Sequence, residues 1–473
     1  MKTYLFYDIE TSGLNPAFDQ ILTFACIRTD LELNEIDRQT ITIRLRKDIV
    51  PSPRAFLIHG LTLNELDLGI NEYQAALKIH ALLNTPDTIS LGYNSLGFDD
   101  DFLRFMFYRN LLDPYQHQYH NGCLRMDVLP ITVIFRVFHP DCMKWPQKDG
   151  KPSLRLDLIA RENDFATSGR AHEAMNDVEA VIALSKTLFQ QKDIWKYCLD
   201  FFNKTRDEVR INCIEEGFDV QNRRFTIGLM VAASFGPKLN YLAPVVHLGQ
   251  SMTYKNQSLW LRLDLDDILG INSNVDLIDT FVIRKRYGDA LIVLPTLERF
   301  WNKLPKSSQQ SAQDNIIRLC RHWGKFFEFI DYHCAYKYPF IPEIDPDAAL
   351  YQDGFFLAQE KKQSNLFHKT LAHQKKDSLN KILSPRIKIL ANRILARNFV
   401  NTIEQSKEAE DILCVNRLRS FMEDDKIVGY KNDMKFNCKQ GLQELKELKE
   451  ELVNPSLDQT KMLSWLKGYI EQL

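Results

Sequence analysis

The sequence of 473 residues has no C-x-x-C pair, and its nine cysteines are odd in number and widely scattered. That excludes a paired-thiolate zinc site and argues against a disulfide framework, so the cysteines are expected to be reduced and mostly buried. No apolar run approaches the length of about 20 residues that a membrane-spanning helix needs, and no membrane is expected as a partner. A charged and apolar leader is missing as well: Lys2 is followed at once by a strand-like run, which makes the cytoplasm the expected location. There is no internal repeat and no extended low-complexity segment. An excess of charge of one sign is also lacking, because the formal net charge is only −2, so bulk charge does not nominate a polyanionic partner.

What is present is the composition of a globular protein, 45% hydrophobic and 26% charged, in a chain too long for one ordinary core. Charge is segregated rather than absent. From Lys361 to Arg397 the bases are Lys361, Lys362, Lys369, Lys375, Lys376, Lys381, Arg386, Lys388, Arg393 and Arg397, opposed by Asp377 alone. Such a run serves either as a solvated helix face or as a surface for phosphates.

Three regions differ in pattern. Residues 1–192 alternate strand-like segments ("YLFYDIE", "ILTFACIRTD", "QTITIRLR", "DTISLGYN") with helical ones ("NEYQAALKIHALL", "FDDDFLRFMFYRNLL", "HEAMNDVEAVIALSKTLF"), which predicts an α/β domain with a mixed sheet. Residues 193–345 open with a helical stretch and continue with short alternating runs such as "YLAPVVHL", "SLWLRLDLD" and "DALIVLP", which predict a small β-rich domain. Residues 346–473 are rich in Leu, Lys and Glu, with leucines at 442, 445, 448 and 452, and are expected to be helical.

The first strand poses a chemical question. In "YLFYDIETSG", Phe6, Asp8 and Glu10 share one face while Leu5, Tyr7 and Ile9 share the other, so two acids project together from an otherwise apolar strand. Acids at a strand end can cap the next turn or pair with a base. In the last helix of the same region, however, Asp177 occupies the stripe continued by Val181, Leu184 and Leu188, where an apolar residue would ordinarily pack. His172 lies five residues earlier, in the approach to that helix, where it serves as a cap, a surface residue or a base. Asp99 heads a helical stripe with Leu103 and Met106. Four acids and one histidine at the ends of elements suit a hard-cation site for magnesium or manganese. Two such ions stabilise both oxygens of an in-line phosphoryl displacement, and a histidine of ordinary pKa about 6.5 is a natural base for the attacking water.

At these residues the chain resembles a known family. D-x-E-T-x-G at Asp8–Gly13, N-x-x-x-F-D at Asn94–Asp99 and H-x-x-x-x-D at His172–Asp177 resemble, in order and spacing, the motifs of the DEDDh exonuclease superfamily, and "LIHGLT" resembles the segment between the first two. "FDDDFLRFMFYRNLLDPY", "PSLRLDLIA", "SFGPKLNYLAPVVH", "ALYQDGFF" and "ILARNF" extend the likeness to the bacterial exonuclease I family along almost the whole chain. The resemblance implies a ribonuclease H-like exonuclease domain, an SH3-like β domain and an α-helical C-terminal domain. It implies processive 3′→5′ degradation of single-stranded DNA to 5′-mononucleotides in DNA repair and recombination. By the same resemblance Asp8, Glu10, Asp99 and Asp177 hold two Mg2+ ions, with Mn2+ substituting and Asp8 bridging both, and His172 is the general base. Asp100 is the alternative to Asp99, because three acids stand in a row. The candidates for contact with the terminal nucleotide are Thr11, Ser12, Gly13 and His59, with Ser12 standing where the family often carries an aromatic residue. Arg155 is a candidate for a phosphate contact or a helix-start surface residue. The Lys361–Arg397 run fits a phosphate-tracking surface, the acidic C-terminal tail of single-stranded DNA-binding protein is an implied partner, and a monomer is the family expectation. Two other readings share these motifs: an RNA-trimming or proofreading nuclease, and a non-catalytic module that binds single strands.

Overall fold

The strand that carries Asp8 and Glu10 sits at the centre of a five-stranded sheet. In the computed structural model, which describes residues 2–165, 173–266, 268–269, 281–399, 427–452 and 454–473, the strands β1 (Thr3–Thr11), β2 (Ile21–Thr29), β3 (Glu35–Thr42), β4 (Thr88–Gly92) and β5 (Leu124–Asp127) are ordered β3-β2-β1-β4-β5. β1, β4 and β5 run parallel, and β2 and β3 are antiparallel to their neighbours. Seven helices accompany them: α1 (Pro53–His59), α2 (Leu63–Asp67), α3 (Glu72–Leu83), α4 (Asp99–Arg109), α5 (Val128–Phe138), α6 (Leu156–Glu162) and α7 (Ala174–Phe189).

The alternation along β1 decides which helices go where. Leu5, Tyr7 and Ile9 pack with Ala76 and Ile79 of α3 and with Phe102 and Met106 of α4. Tyr4 and Phe6 pack on the opposite face with Ile131 of α5 and with Val178, Val181 and Leu184 of α7. Covering both faces explains why a mixed sheet with parallel central strands has almost no polar residue before Asp8. It also sends the acids toward α7, since Asp8 and Glu10 continue the Tyr4–Phe6 side.

A second, six-stranded antiparallel sheet spans Glu216–Val220 to Ile292–Pro295, within the expected β-rich region. The sequence reading missed two long helices there, Lys306–Arg321 and Trp323–Ala335, whose Ala312, Leu319, Phe326 and Ile330 cover Val246, Leu248 and Leu261 of the sheet. The C-terminal region is helical, as its composition predicts. Leu445 and Leu448 of helix Cys438–Glu451 pack against Phe56 and Leu66, so the leucine stripe docks on the first domain.

Half of the basic run is engaged within the protein. Arg386 pairs with Glu360, Lys361 with Asp113 at 2.8 Å, and Arg393 with Asp345 at 2.6 Å. Arg397 is shared between Asp48 at 3.0 Å and Asp347 at 2.6 Å, and Lys375 is buried with its ammonium donating to the Phe367 carbonyl. Arg386, Arg393 and Arg397 recur at offsets of seven and eleven on helix Pro385–Asn398, one inward stripe. These five bases bind the protein to itself, while Lys362, Lys369, Lys381 and Lys388 stay exposed, so any phosphate-tracking surface rests on fewer charges than the ten in the sequence.

Candidate active site

Carboxylate oxygens of Asp8, Glu10 and Asp177 lie within 4.8 Å of one another. β1 contributes two of them by its alternation, and α7 presents the third from the turn that faces the sheet. Asp99 opens α4 beside them, buried to 5% exposure, and its charge acts on both Asp8 and Glu10 although it lies outside that close trio. Burial pushes the Asp8 carboxyl well above the usual carboxylate range, and the charges of Asp99, Glu10 and Asp177 push it further. Burial, then Asp177 and Asp99, raise Glu10 to about 8. Asp99 is raised to about 8 by burial, with Asp127 and Asp100 adding to it against hydrogen bonds from its own and Ile9's backbone N–H. Like charges stripped of water are costly unless an opposite charge joins them. An all-oxygen donor set of this kind fits a hard divalent cation.

The choice between adjacent acids is visible in the geometry. Asp100 faces the other way: Arg104 and Arg125 pair with its carboxylate, and His117 Nε2 lies 3.2 Å from it. Burial would raise Asp100, but Arg104 and Arg125 outweigh it and hold the group far below the usual range. Asp101 pairs with Arg104 at 2.8 Å and accepts from the Tyr351 hydroxyl at 2.8 Å. Asp99 alone of the three shares its field with Asp8 and Glu10. His172 lies outside the described residues.

The turn after β1 uses its own polar atoms. Thr11 Oγ1 donates to the Gly13 carbonyl at 2.7 Å, and Ser12, with 0% exposure, donates to Asp19 at 3.3 Å and accepts from the Gln20 N–H at 3.0 Å. The Ser12 side chain is therefore closed off inside the turn, and its hydroxyl is not presented to a nucleotide. At Gly13 a Cβ would collide with the Asp19 carboxylate. Gly13→Ala is accordingly expected to cost about 1–3 kcal/mol of stability through overpacking; urea unfolding measures it, and an unchanged midpoint would mean that Asp19 yields without penalty.

His59 ends α1, its Nδ1 accepting from the Leu61 N–H at 3.1 Å and its ring 4.8 Å from that of Phe56. Burial lowers it to about 4 against the opposing pull of the Thr11 backbone and Glu65, so a neutral imidazole stands next to the turn. Arg155 precedes α6 and is held in a two-point pair with Asp157 at 2.9 and 3.0 Å. It lines a cleft of about 560 Å³ together with Tyr93, Asn94 and Asp177, and Pro237 and Tyr241 of the second region form the facing wall. Tyr241 also donates to the Pro152 carbonyl at 3.2 Å. Pro237 and Tyr241 lie in the segment "SFGPKLNYLAPVVH" that carries the family likeness, but nothing local assigns them or Tyr93 to this site, because the cleft exists only once two regions of chain are packed together.

Comparison with known proteins supplies what the geometry leaves open. Residues 5–185 match the exonuclease family model, and residues 344–473 match the model for the exonuclease I C-terminal domain. Exodeoxyribonuclease I of Escherichia coli K12 is 29% identical over 429 residues, covering 86% of this chain and 88% of that protein. The crystal structure of E. coli exonuclease I in complex with a dA16 oligonucleotide superposes with a TM-score of 0.82 at 26% identity, covering 100% of both chains. The chain belongs to the exonuclease I family. The ribonuclease H-like α/β fold expected from the motifs is the fold of exonuclease I, and the match continues through the β-rich and helical regions. A zinc-bound form of the E. coli exonuclease I complex with single-stranded DNA superposes with a TM-score of 0.81 at 26% identity, covering 100% of this chain and 99% of that one, so this fold accommodates metal and strand together in a relative. Among the described residues no helix is long and apolar enough to cross a membrane.

Proposed function

We propose that this exonuclease I family member removes 5′-mononucleotides processively from the 3′ end of single-stranded DNA. The observation that carries the reading is the half-buried carboxylate trio of Asp8, Glu10 and Asp177, the last of which lines a cleft with walls from two regions of the chain. Asp8, Glu10, Asp99 and Asp177 would hold divalent cations, two Mg2+ with Mn2+ substituting, which supply positive charge to the scissile phosphate and to the oxygen that leaves. The chain's own residues do the rest. Carboxylates fixed on a central strand and two helices need no rearrangement as charge develops. Tyr93 and Tyr241 offer aromatic surface to a base or sugar at the cleft, and Arg155 offers a guanidinium to phosphate once Asp157 shares it. His172, five residues before Asp177 in the sequence, takes the proton of the attacking water. Work in DNA repair and recombination in the cytoplasm, action as a monomer, and contact with the acidic tail of single-stranded DNA-binding protein complete the reading.

The test is digestion of a 5′-labelled single-stranded DNA oligonucleotide beside its duplex and RNA counterparts, with Mg2+ or with chelator. A Mg2+-dependent ladder shortening from the 3′ end of the DNA single strand is expected. Faster loss of the RNA would reverse the substrate assignment, and strand binding without cleavage under any metal would make the protein a binding module.

A further inference from the structure

We infer that Asp127 is a positioning residue for the reaction: its carboxylate clasps the loop between β4 and α4 and so sets where Asp99 stands. The inference rests on the proposed metal site, for which Asp99 supplies a carboxylate. β4 and β5 run side by side, and their pairing ends at Gly92 opposite Asp127. Beyond that point the backbone ladder stops, and the Asp127 side chain takes over the bonding. Its Oδ1 accepts from the Asn94 N–H at 2.8 Å and its Oδ2 from the Leu96 N–H at 3.0 Å, while Oδ1 also accepts from the Leu129 N–H at 2.9 Å as the cap of α5.

The loop depends on this clasp because little else fixes its start. Asn94 is in the left-handed region at φ 64°, which asparagine adopts more readily than other non-glycine residues and which the Asp127 bond to its N–H helps to fix. α4 begins after Phe98 with no side-chain cap, so the first turn bearing Asp99 inherits its position from the loop, through bonds such as Asp100 N–H to the Ser95 carbonyl at 2.9 Å. Asp127 is itself fully enclosed, with 1% exposure, and cannot reach substrate. It acts on the site from behind, holding the cleft-lining Asn94 directly and the proposed ligand Asp99 through the loop that leads to it.

Two substitutions separate this role from ordinary helix capping. Asp127→Ser keeps an oxygen that can cap α5 but is too short to reach both loop amides. Asp127→Asn keeps the shape but turns an amide N–H toward one of the loop's N–H groups. Both are expected to remain folded by circular dichroism and to lose about 100-fold in kcat, the scale of a misplacement near 1 Å, with KM for the oligonucleotide unchanged. Mn2+ affinity, read by electron paramagnetic resonance without DNA, is expected to weaken by about 10- to 100-fold, as for other supports of metal ligands. If the unmodified protein binds no Mn2+, the metal reading itself fails. If it does bind Mn2+ and the variants match it in affinity and kcat, the clasp is overturned. Loss of folding in both variants would overturn it too, because the residue would then be a general support of the domain.

Discussion

Asp8→Asn is expected to abolish cleavage of single-stranded DNA, by about 10⁴-fold or more, on the order of 5 kcal/mol of transition-state stabilisation, while making the metal-free protein more stable. Both effects have one cause. Asp8 stands half-buried with Glu10, Asp99 and Asp177 around it, and burial and like charge push the Asp8 carboxyl well above its ordinary value. An asparagine of the same shape removes one negative charge from the set and with it a ligand oxygen of full charge. The pH dependence has a definite sign. Glu10 and Asp99 are raised to about 8 in the folded protein, against about 4 in an unfolded chain. The folded state therefore holds protons that the unfolded state releases, so this contribution to stability is present below about pH 4 and is lost as pH climbs through 8. In chelator, the melting temperature of the unmodified protein should fall between pH 5 and pH 8, the variant should fall less, and Mg2+ should restore the unmodified protein only. A melt in chelator that is indifferent to pH and to Mg2+ would remove the trio from the proposed chemistry.

Much of this site was legible because strand and helix periodicities are local. The alternation of Phe6, Asp8 and Glu10 placed both acids on one face, and the stripe through Asp177, Val181, Leu184 and Leu188 placed the third acid on a packed helix face, where the structure finds it. Other features depended on residues far away in the chain. Only the motif position separates Asp99 from Asp100 in the sequence, and the physical difference appears when Arg104, Arg125 and His117 are seen to surround the second. Ser12 stands among the candidates for nucleotide contact, and nothing in the sequence shows that Asp19 and Gln20 close over its hydroxyl. The basic run overstates the free positive charge, because a count in one window ignores Asp48, Asp345 and Asp347, which meet Arg393 and Arg397 from elsewhere. A signal was available in the helical spacing of Arg386, Arg393 and Arg397. For Pro237 and Tyr241 the only signal was their place in "SFGPKLNYLAPVVH", which could not assign them to the cleft, since its wall arises from packing between regions separated by more than a hundred residues from β1.

Arg397→Met is expected to destabilise the protein by about 3–5 kcal/mol at neutral pH, the cost of stranding buried charges rather than of losing a surface pair. Arg397 lies between the exonuclease and C-terminal regions, 3.0 Å from Asp48 and 2.6 Å from Asp347. The network continues inward: Arg46 pairs with Asp48 and Glu72, each at 2.9 Å, and Arg109, the last residue of α4, reaches Glu72 at 3.0 Å. Burial alone would raise Glu72, yet Arg109 and Arg46 outweigh it and bring it down to about 2. Asp48 and Asp347 are likewise held well below the usual range, with Arg397 the largest force against their burial. Carboxyls lowered in this way contribute stability that is present above about pH 4 and is lost as pH falls through the folded values. Without the guanidinium, Asp48 and Asp347 should take up protons at higher pH, so the variant's acid unfolding should begin earlier than that of the unmodified protein. Urea unfolding at pH 7 and pH 4 measures both effects; urea is preferred to guanidinium salt because it leaves ion pairs unscreened. Adding Asp347→Asn to Arg397→Met should cost less than the sum of the single changes, because the second substitution removes a charge that the first left unpaired. A loss below about 1 kcal/mol at pH 7, the range of exposed pairs, would instead mean that water enters the boundary between the two regions once the arginine is gone, and that apolar contacts such as Phe105 and Tyr108 with Leu350 and Leu390 hold it together.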